Sequence, residues 1–277
     1  MTGVDRVAGA FRAAAERGEA ALVTYVMGGD PDLATSRDMA LACAEGGADV
    51  IEIGMPFSDP IADGKTIQAA GERALRAGAG VEDCLALAAK VRQETGAALA
   101  LMGYLNPVLS HGPAAFLDGC ARSGVDAVIL PDLPPEEATE FRGLAAERGV
   151  ATVFLLAPTS TEERVSLVCD AATGFVYFVS VTGVTGARRS LPANLGAQVA
   201  AVRARSSVPV AVGFGVSSPE QAREVARIAD GVVVGSAIVE RIARGGTRRE
   251  RRERVRRFVA SLRRAVHREG STITGGG

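Results

Sequence analysis

Glu52 stands inside the run Val50-Ile51-Glu52-Ile53-Gly54, which is otherwise apolar. An ionised carboxylate in a dry interior is costly, so such a residue pairs with a donor, faces a polar cavity, or stays neutral with a raised pKa. A glutamate of raised pKa is a good proton shuttle at neutral pH. A structural glutamate bound to an arginine or a backbone group explains the same residue type, and composition alone leaves both readings open. Asp63 follows in a loop stiffened by Pro56 and Pro60 and freed by Gly64. That pattern suits a lid delivering a second carboxylate, and it also suits a helix cap. Asp59 competes for the same role, but Asp-Pro commonly starts a turn, which assigns it to structure or to an interface.

Glycines carry the second signal. Gly183-Val184-Thr185-Gly186, Gly213-Phe214-Gly215 and Gly235-Ser236 each permit close backbone approach. One such site is an ordinary turn. Three at successive strand ends point to a small phosphorylated substrate, with Gly235-Ser236 opening a helix whose N–H groups face the phosphate. Other chemistries find little support. The two lysines, Lys65 and Lys90, lie off the strands, which disfavours a Schiff base. Two histidines, His111 and His267, cannot build a clustered metal site, and the cysteines Cys43, Cys84, Cys120 and Cys169 form no CxxC pair. No Ser/His/Asp constellation is legible. Carboxylate acid/base chemistry on a phosphorylated substrate remains, with a tyrosine as a candidate assistant.

The elements that must position these residues follow a repeating pattern. Apolar runs at 21–27, 48–54, 98–103, 126–131, 151–157, 175–180, 209–215 and 231–236 read as strands covered on both faces. Helical patterns lie at 32–46, 81–95, 135–148, 162–170, 193–205 and 219–228. Ser218-Pro219-Glu220 places Ser at an N-cap and Pro at N1, and Gly149 suits a C′ position. Eight β/α units predict a single (β/α)8 TIM barrel over 1–270, with 271–277 as a disordered tail. A doubly wound sheet is the rival, and its dinucleotide form lacks GxGxxG in the first βα turn. An extra N-terminal helix, 5–17, is placed to plug the barrel bottom. The last helix, 248–268, opens with a Thr247/Glu250 capping box and buries Val255, Phe258, Val259, Leu262 and Val266. Its arginines read as a solvated face laced with Arg/Glu pairs. In a barrel the chemistry sits at the C-terminal strand ends, where Asp30, Tyr104, Asn106, Asp132, Thr159, Ser160 and Tyr177 also fall.

Composition narrows the class. The chain has 277 residues, 31 basic and 32 acidic, for a net charge of −1, which argues against a nucleic-acid binder. No apolar run approaches a membrane span, the N-terminus lacks a signal-peptide core, and the cysteine pattern suits a reducing cytoplasm.

These residues meet a known pattern. The segment 51–68, IEIGMPFSDPIADGKTIQ, resembles the signature of the tryptophan synthase α subunit family. GDP at 29–31, YLNPVL at 104–109, PDLPPEE at 131–137, SVTGVTGAR at 180–188, GFGVSSPEQ at 213–221 and GSAIV at 235–239 extend the resemblance across about residues 5–265. It implies a lyase that splits indole-3-glycerol phosphate, in tryptophan biosynthesis, to indole and glyceraldehyde 3-phosphate by a retro-aldol reaction. It also implies no cofactor in this chain. Pyridoxal phosphate belongs to a β-subunit partner that receives the indole in an αββα tetramer. By the same resemblance Glu52 shuttles protons and Asp63 accepts a hydrogen bond from the indole N–H. Tyr177 and Thr185 belong to the substrate site, and Phe214, Tyr25 and Tyr104 line the indole pocket. Gly186, Gly215, Gly235 and Ser236 hold phosphate through the backbone. Three positions depart from the family pattern: Lys65 replaces a usual Pro, Met27 a common Thr, and Gly103 a frequent Thr. Lys65 borders the loop that faces the β subunit, so a stand-alone lyase releasing free indole is the alternative. A non-catalytic phosphate-binding activator is a third reading, which needs neither Glu52 nor Asp63.

Overall fold

Each of the eight apolar runs contains a strand. The computed structural model describes residues 1–179, 194–213 and 215–268. The strands are β1 (Ala21–Met27), β2 (Val50–Gly54), β3 (Ala98–Met102), β4 (Ala127–Ile129), β5 (Ala151–Leu156), β6 (Val176–Val179), β7 (Val210–Gly213) and β8 (Gly231–Val234). All pair in parallel with their chain neighbours, and β8 pairs with β1, so the sheet closes into a TIM barrel. Around it lie α1 (Gly3–Glu16), α2 (Leu33–Glu45), α3 (Lys65–Arg76), α4 (Val81–Arg92), α5 (Leu105–His111) and α6 (Pro113–Ser123). They continue with α7 (Thr139–Glu147), α8 (Glu162–Ala171), α9 (Leu195–Arg205), α10 (Pro219–Ala226), α11 (Ser236–Ala243) and α12 (Arg248–Ala265).

Several details differ from the sequence expectation. α3, α5 and α6 were not anticipated as helices. α7 starts at Thr139 rather than 135, because the Glu137 N–H donates to the Pro134 carbonyl and the Ala138 N–H to that of Pro135, making turns instead. Gly64, not Asp63, occupies the N-cap position of α3. Ser218 caps α10 with Pro219 behind it, Gly149 follows α7 with φ +64°, and Thr247/Glu250 form the capping box of α12.

The period of two along the strands decides what faces the barrel axis. Inward positions include Val23 on β1, Val50 on β2, Ala98 and Ala100 on β3, Ala127 on β4 and Ala151 on β5, with Ala211 on β7. The alanines leave space, and α1 fills it with Val7 and Phe11. The Phe11 and Phe175 rings lie 5.4 Å apart, and a Cβ on Gly231 would sit 2.8 Å from the Phe11 ring. Helix α1 therefore plugs the N-terminal end of the barrel and leaves the C-terminal mouth for ligand. Outward residues such as Leu22, Val26, Ile51, Ile53, Leu99 and Leu101 pack against the helical ring.

Three aspartates brace the lower rim in the same way. Asp49 accepts from the Leu22 N–H (2.8 Å), Asp126 from the Leu99 N–H (2.8 Å), and Asp230 from the Val210 N–H (3.0 Å). Each also holds arginine: Asp49 binds Arg17 and Arg263, Asp126 binds Arg6 and Arg92, and Asp230 binds Arg203. The arginines of α12 are largely paired too, with Glu45, Asp38 and Glu253, while its apolar face packs on α2, α10 and α11. No described helix is long and apolar enough to cross a membrane.

Phe11→Ala empties the plug of a buried ring and is expected to lower the unfolding free energy by about 3–5 kcal/mol. A urea titration against wild type checks this, and a loss below about 1 kcal/mol would show that α1 does not fill the barrel.

Candidate active site

Strand β2 delivers Glu52 inward, because Val50, Glu52 and Gly54 share the face that points to the axis. Tyr25 on β1 is its register partner. A Cβ on Gly54 would fall 1.9 Å from the Tyr25 hydroxyl oxygen, so only glycine admits that ring over β2. Gly213 does the same for Tyr177 on β6, where a Cβ would stand 2.7 Å from the hydroxyl oxygen. Glu52, Tyr25 and Tyr177 are 1%, 6% and 4% exposed. Together with Asp63, Gly215, Gly235 and Ser236 they line one cavity at the C-terminal mouth.

The two carboxyls differ in environment. Glu52 is fully buried, and its Oε1 has no hydrogen-bond partner. Burial alone pushes its pKa up to about 8. Asp63 sits at the rim. Burial raises it to about 6, and the Tyr104 hydroxyl works in the opposite direction. At pH 7 the first is mostly neutral and the second mostly ionised. Titratable groups pushed apart in this way divide acid from base roles.

The glycines differ in what they require. Gly215 has φ +91°, a left-handed conformation that favours glycine. Gly235 is the N-cap of α11 and makes no side-chain cap. The first-turn N–H groups of a helix lack intrahelical acceptors and carry the positive end of its dipole, so this end of α11 suits an anion.

Tyr104 is set apart from the others. It stands behind Asp63, where its hydroxyl accepts the Ala62 N–H (2.9 Å) and its ring lies 5.4 Å from that of Phe57. Thr185, Gly186 and Phe214 fall outside the described residues. The cavity also includes Gly64, read from sequence as a loop hinge, and Thr66, Ile67, Met102, Val216 and Val233, which the sequence reading did not single out. Inward alternation along β3 and β8 was the available signal for Met102 and Val233. Ile67 needed α3, which was not read as a helix.

The three departures have local consequences. Met27 lies two residues beyond Tyr25 on β1, with its sulfur 3.8 Å from the Tyr25 hydroxyl, and its methyl reaches toward Gly71 of α3. Gly103 leaves room for Met55, whose Cε would lie 2.6 Å from an added Cβ. Lys65 is exposed at the first position of α3, where proline is well tolerated.

A parallel barrel plugged at one end, with two carboxyls of raised pKa at the other, defines a TIM-barrel enzyme of the acid–base kind. The comparisons are specific. The sequence model of the family "Tryptophan synthase alpha chain" matches residues 11–267. The chain is 48% identical over 263 residues to the tryptophan synthase alpha chain of Pelobacter propionicus, covering 95% of this chain and 98% of that one. It is 49% identical to that of Geobacter sulfurreducens, with 95% and 99% covered. A solved tryptophan synthase structure from Mycobacterium tuberculosis superposes with a TM-score of 0.88 at 39% identity, covering 95% of this chain and 98% of its own. The alpha chain of Legionella pneumophila gives 0.87 at 32% identity, covering 98% and 99%. This chain belongs to the tryptophan synthase alpha chain family.

The raised pKa of Glu52 has a stability consequence. Between the ordinary glutamate value of 4.5 and about 8, the unfolded chain has lost the proton that the folded chain keeps. Wild-type stability therefore falls as pH rises through that window and levels off above it. Glu52→Gln does not titrate, so its stability relative to wild type is expected to rise by up to about 1.4 kcal/mol per pH unit across the window. Urea titrations at pH 5, 7 and 9 measure the margin, and a margin independent of pH would contradict the assignment.

Proposed function

We propose that Glu52 and Asp63 carry the family's lyase reaction, the cleavage of indole-3-glycerol phosphate to indole and glyceraldehyde 3-phosphate. The observation that supports it is the pair of carboxyls in one cavity, one held neutral and one ionised at pH 7. Indole is a poor carbon leaving group until C3 is protonated. Neutral Glu52 donates that proton, and positive character develops at N1. The Asp63 carboxylate accepts the N1–H hydrogen bond and stabilises the charge as it forms. The C3–C1′ bond then breaks, and its electron pair returns to the ring as neutral indole. The side-chain hydroxyl becomes the aldehyde and passes its proton to Glu52. One carboxyl thus gives and regains the same number of protons, and the reaction needs no cofactor in this chain.

The other wall residues serve binding. Tyr25, Met102, Ile67 and Val233 supply apolar surface for the indole ring, and Tyr177 lies beside Glu52. Gly215, Gly235 and Ser236 present backbone to the phosphate, joined in this proposal by Gly186. By the family resemblance Thr185 is assigned to the Asp63 loop and Phe214 to the indole side, while Tyr104 accepts the Ala62 N–H in the Asp63 loop.

The indole goes to a pyridoxal-phosphate β subunit, in an αββα tetramer. Leu33, Ile61 and Leu109, which follow β1, β2 and β3, are exposed large apolar side chains, with Ile61 86% exposed. They provide a face for a partner at the mouth.

Indole release from indole-3-glycerol phosphate, by this chain alone and then with a tryptophan synthase β subunit, tests the reading. Slow release that rises sharply with β is expected. Fast release unchanged by β would make this a stand-alone lyase, and no indole in either case would overturn the function. kcat/KM is expected to rise with pH through about 6, as Asp63 ionises, and to fall through about 8, as Glu52 loses its proton. Glu52→Gln should lower kcat by about 10²–10⁴-fold.

A further inference from the structure

The loop that carries Asp63 is held by side chains that do not line the cavity. Gln68, on the first turns of α3, donates through Nε2 to the Asp63 carbonyl (2.9 Å) and, at 3.5 Å, to that of Pro60. The Asp63 N–H also donates to the Pro60 carbonyl (3.0 Å), so one amide fastens both ends of this turn to the helix.

Helix α3 needs its own anchor. Its buried face is Ala70, Gly71 and Ala74, small side chains that give a smooth surface with little interlocking. Arg73 supplies the anchor: Nε and Nη2 bind the two oxygens of Asp30 at 2.7 and 2.8 Å. Asp30 is 2% exposed and lies just after β1, at the same mouth. A bidentate fork fixes direction as well as distance, which a point charge does not.

We propose that Gln68 and the Arg73–Asp30 pair are positioning residues, a brace that sets α3 on the barrel and, through it, holds the Asp63 backbone so that its carboxylate stays at the mouth. The inference rests on Asp63 acting in the reaction. The brace acts through Asp63 and leaves Glu52 alone, since Glu52 is fixed by β2.

That asymmetry supplies the test. The raised pKa of Asp63 comes from burial. A loop freed from α3 re-exposes the carboxyl to water and lowers that pKa. The pH profile of kcat/KM for indole release should be measured on the full chain with β subunit, for wild type, Gln68→Met, Arg73→Met, Arg73→Lys and Asp63→Asn. Gln68→Met is expected to lower kcat by about 10–100-fold, with KM changing much less. Its acidic limb moves below about 6 while its alkaline limb stays near 8. Arg73→Met behaves alike, and Arg73→Lys, which keeps the charge and loses the fork, recovers part of the loss. An unchanged kcat and acidic limb in Gln68→Met and Arg73→Lys would overturn the brace. So would both limbs moving together, which marks a general loosening of the barrel. Full activity in Asp63→Asn would instead remove the functional reading on which the brace depends.

Discussion

A carboxyl group buried without a partner on one oxygen is the constraint around which this barrel is arranged. Glu52 can be neutral inside because, among the described residues, no cation pairs with it, and because the barrel is closed below it. The plug of α1 shuts out water from beneath. Glycines at 54 and 213 let two tyrosine rings close in from the sides. Each accommodation withholds water from the carboxylate form, so the acid stays protonated at neutral pH.

The lower-rim aspartates and the two cavity carboxyls differ in their partners. At the lower rim, Asp49, Asp126 and Asp230 each accept a strand N–H and hold at least one guanidinium. These charges fasten strands to helices. At the mouth, among the described residues, Glu52 stands without a cation and Asp63 has the Tyr104 hydroxyl against its burial. Burial raises Asp126 as well, against its two arginines; at the mouth it acts on Glu52 and Asp63 with no arginine opposing it among the described residues, and sets their protonation states.

Much of this was legible from residue types. The eight strands announced themselves because parallel strands covered on both faces are nearly continuous in apolar residues. Glu52 was conspicuous for the same reason, since one charged residue interrupts such a run. Helix α3 escaped notice although its small buried face stands against a polar and charged outer one; its N-cap is Gly64, so no capping side chain marks its start. Tyr104 shows another limit. The family resemblance assigns it to the indole pocket, and no sequence pattern shows that its hydroxyl also accepts the Ala62 N–H of the Asp63 loop. Nor does a sequence display that Gln68 reaches back five residues to a carbonyl, because that contact depends on where the first turn of α3 begins.

The plug also has a bearing on how the chain is made. Helix α1 leaves the ribosome before all eight strands, yet its seat is built by them. Arg6 meets Asp126 across 120 residues of sequence. Glycine 3 donates its N–H to the carbonyl of Gly149, and the plug ring packs against Phe175 and Gly231. The first helix must therefore wait, amphipathic and unsatisfied, while most of the barrel emerges. Long-range closure of this kind is slow. During that wait the apolar face of α1 is exposed surface of the kind that makes partly folded chains prone to aggregate.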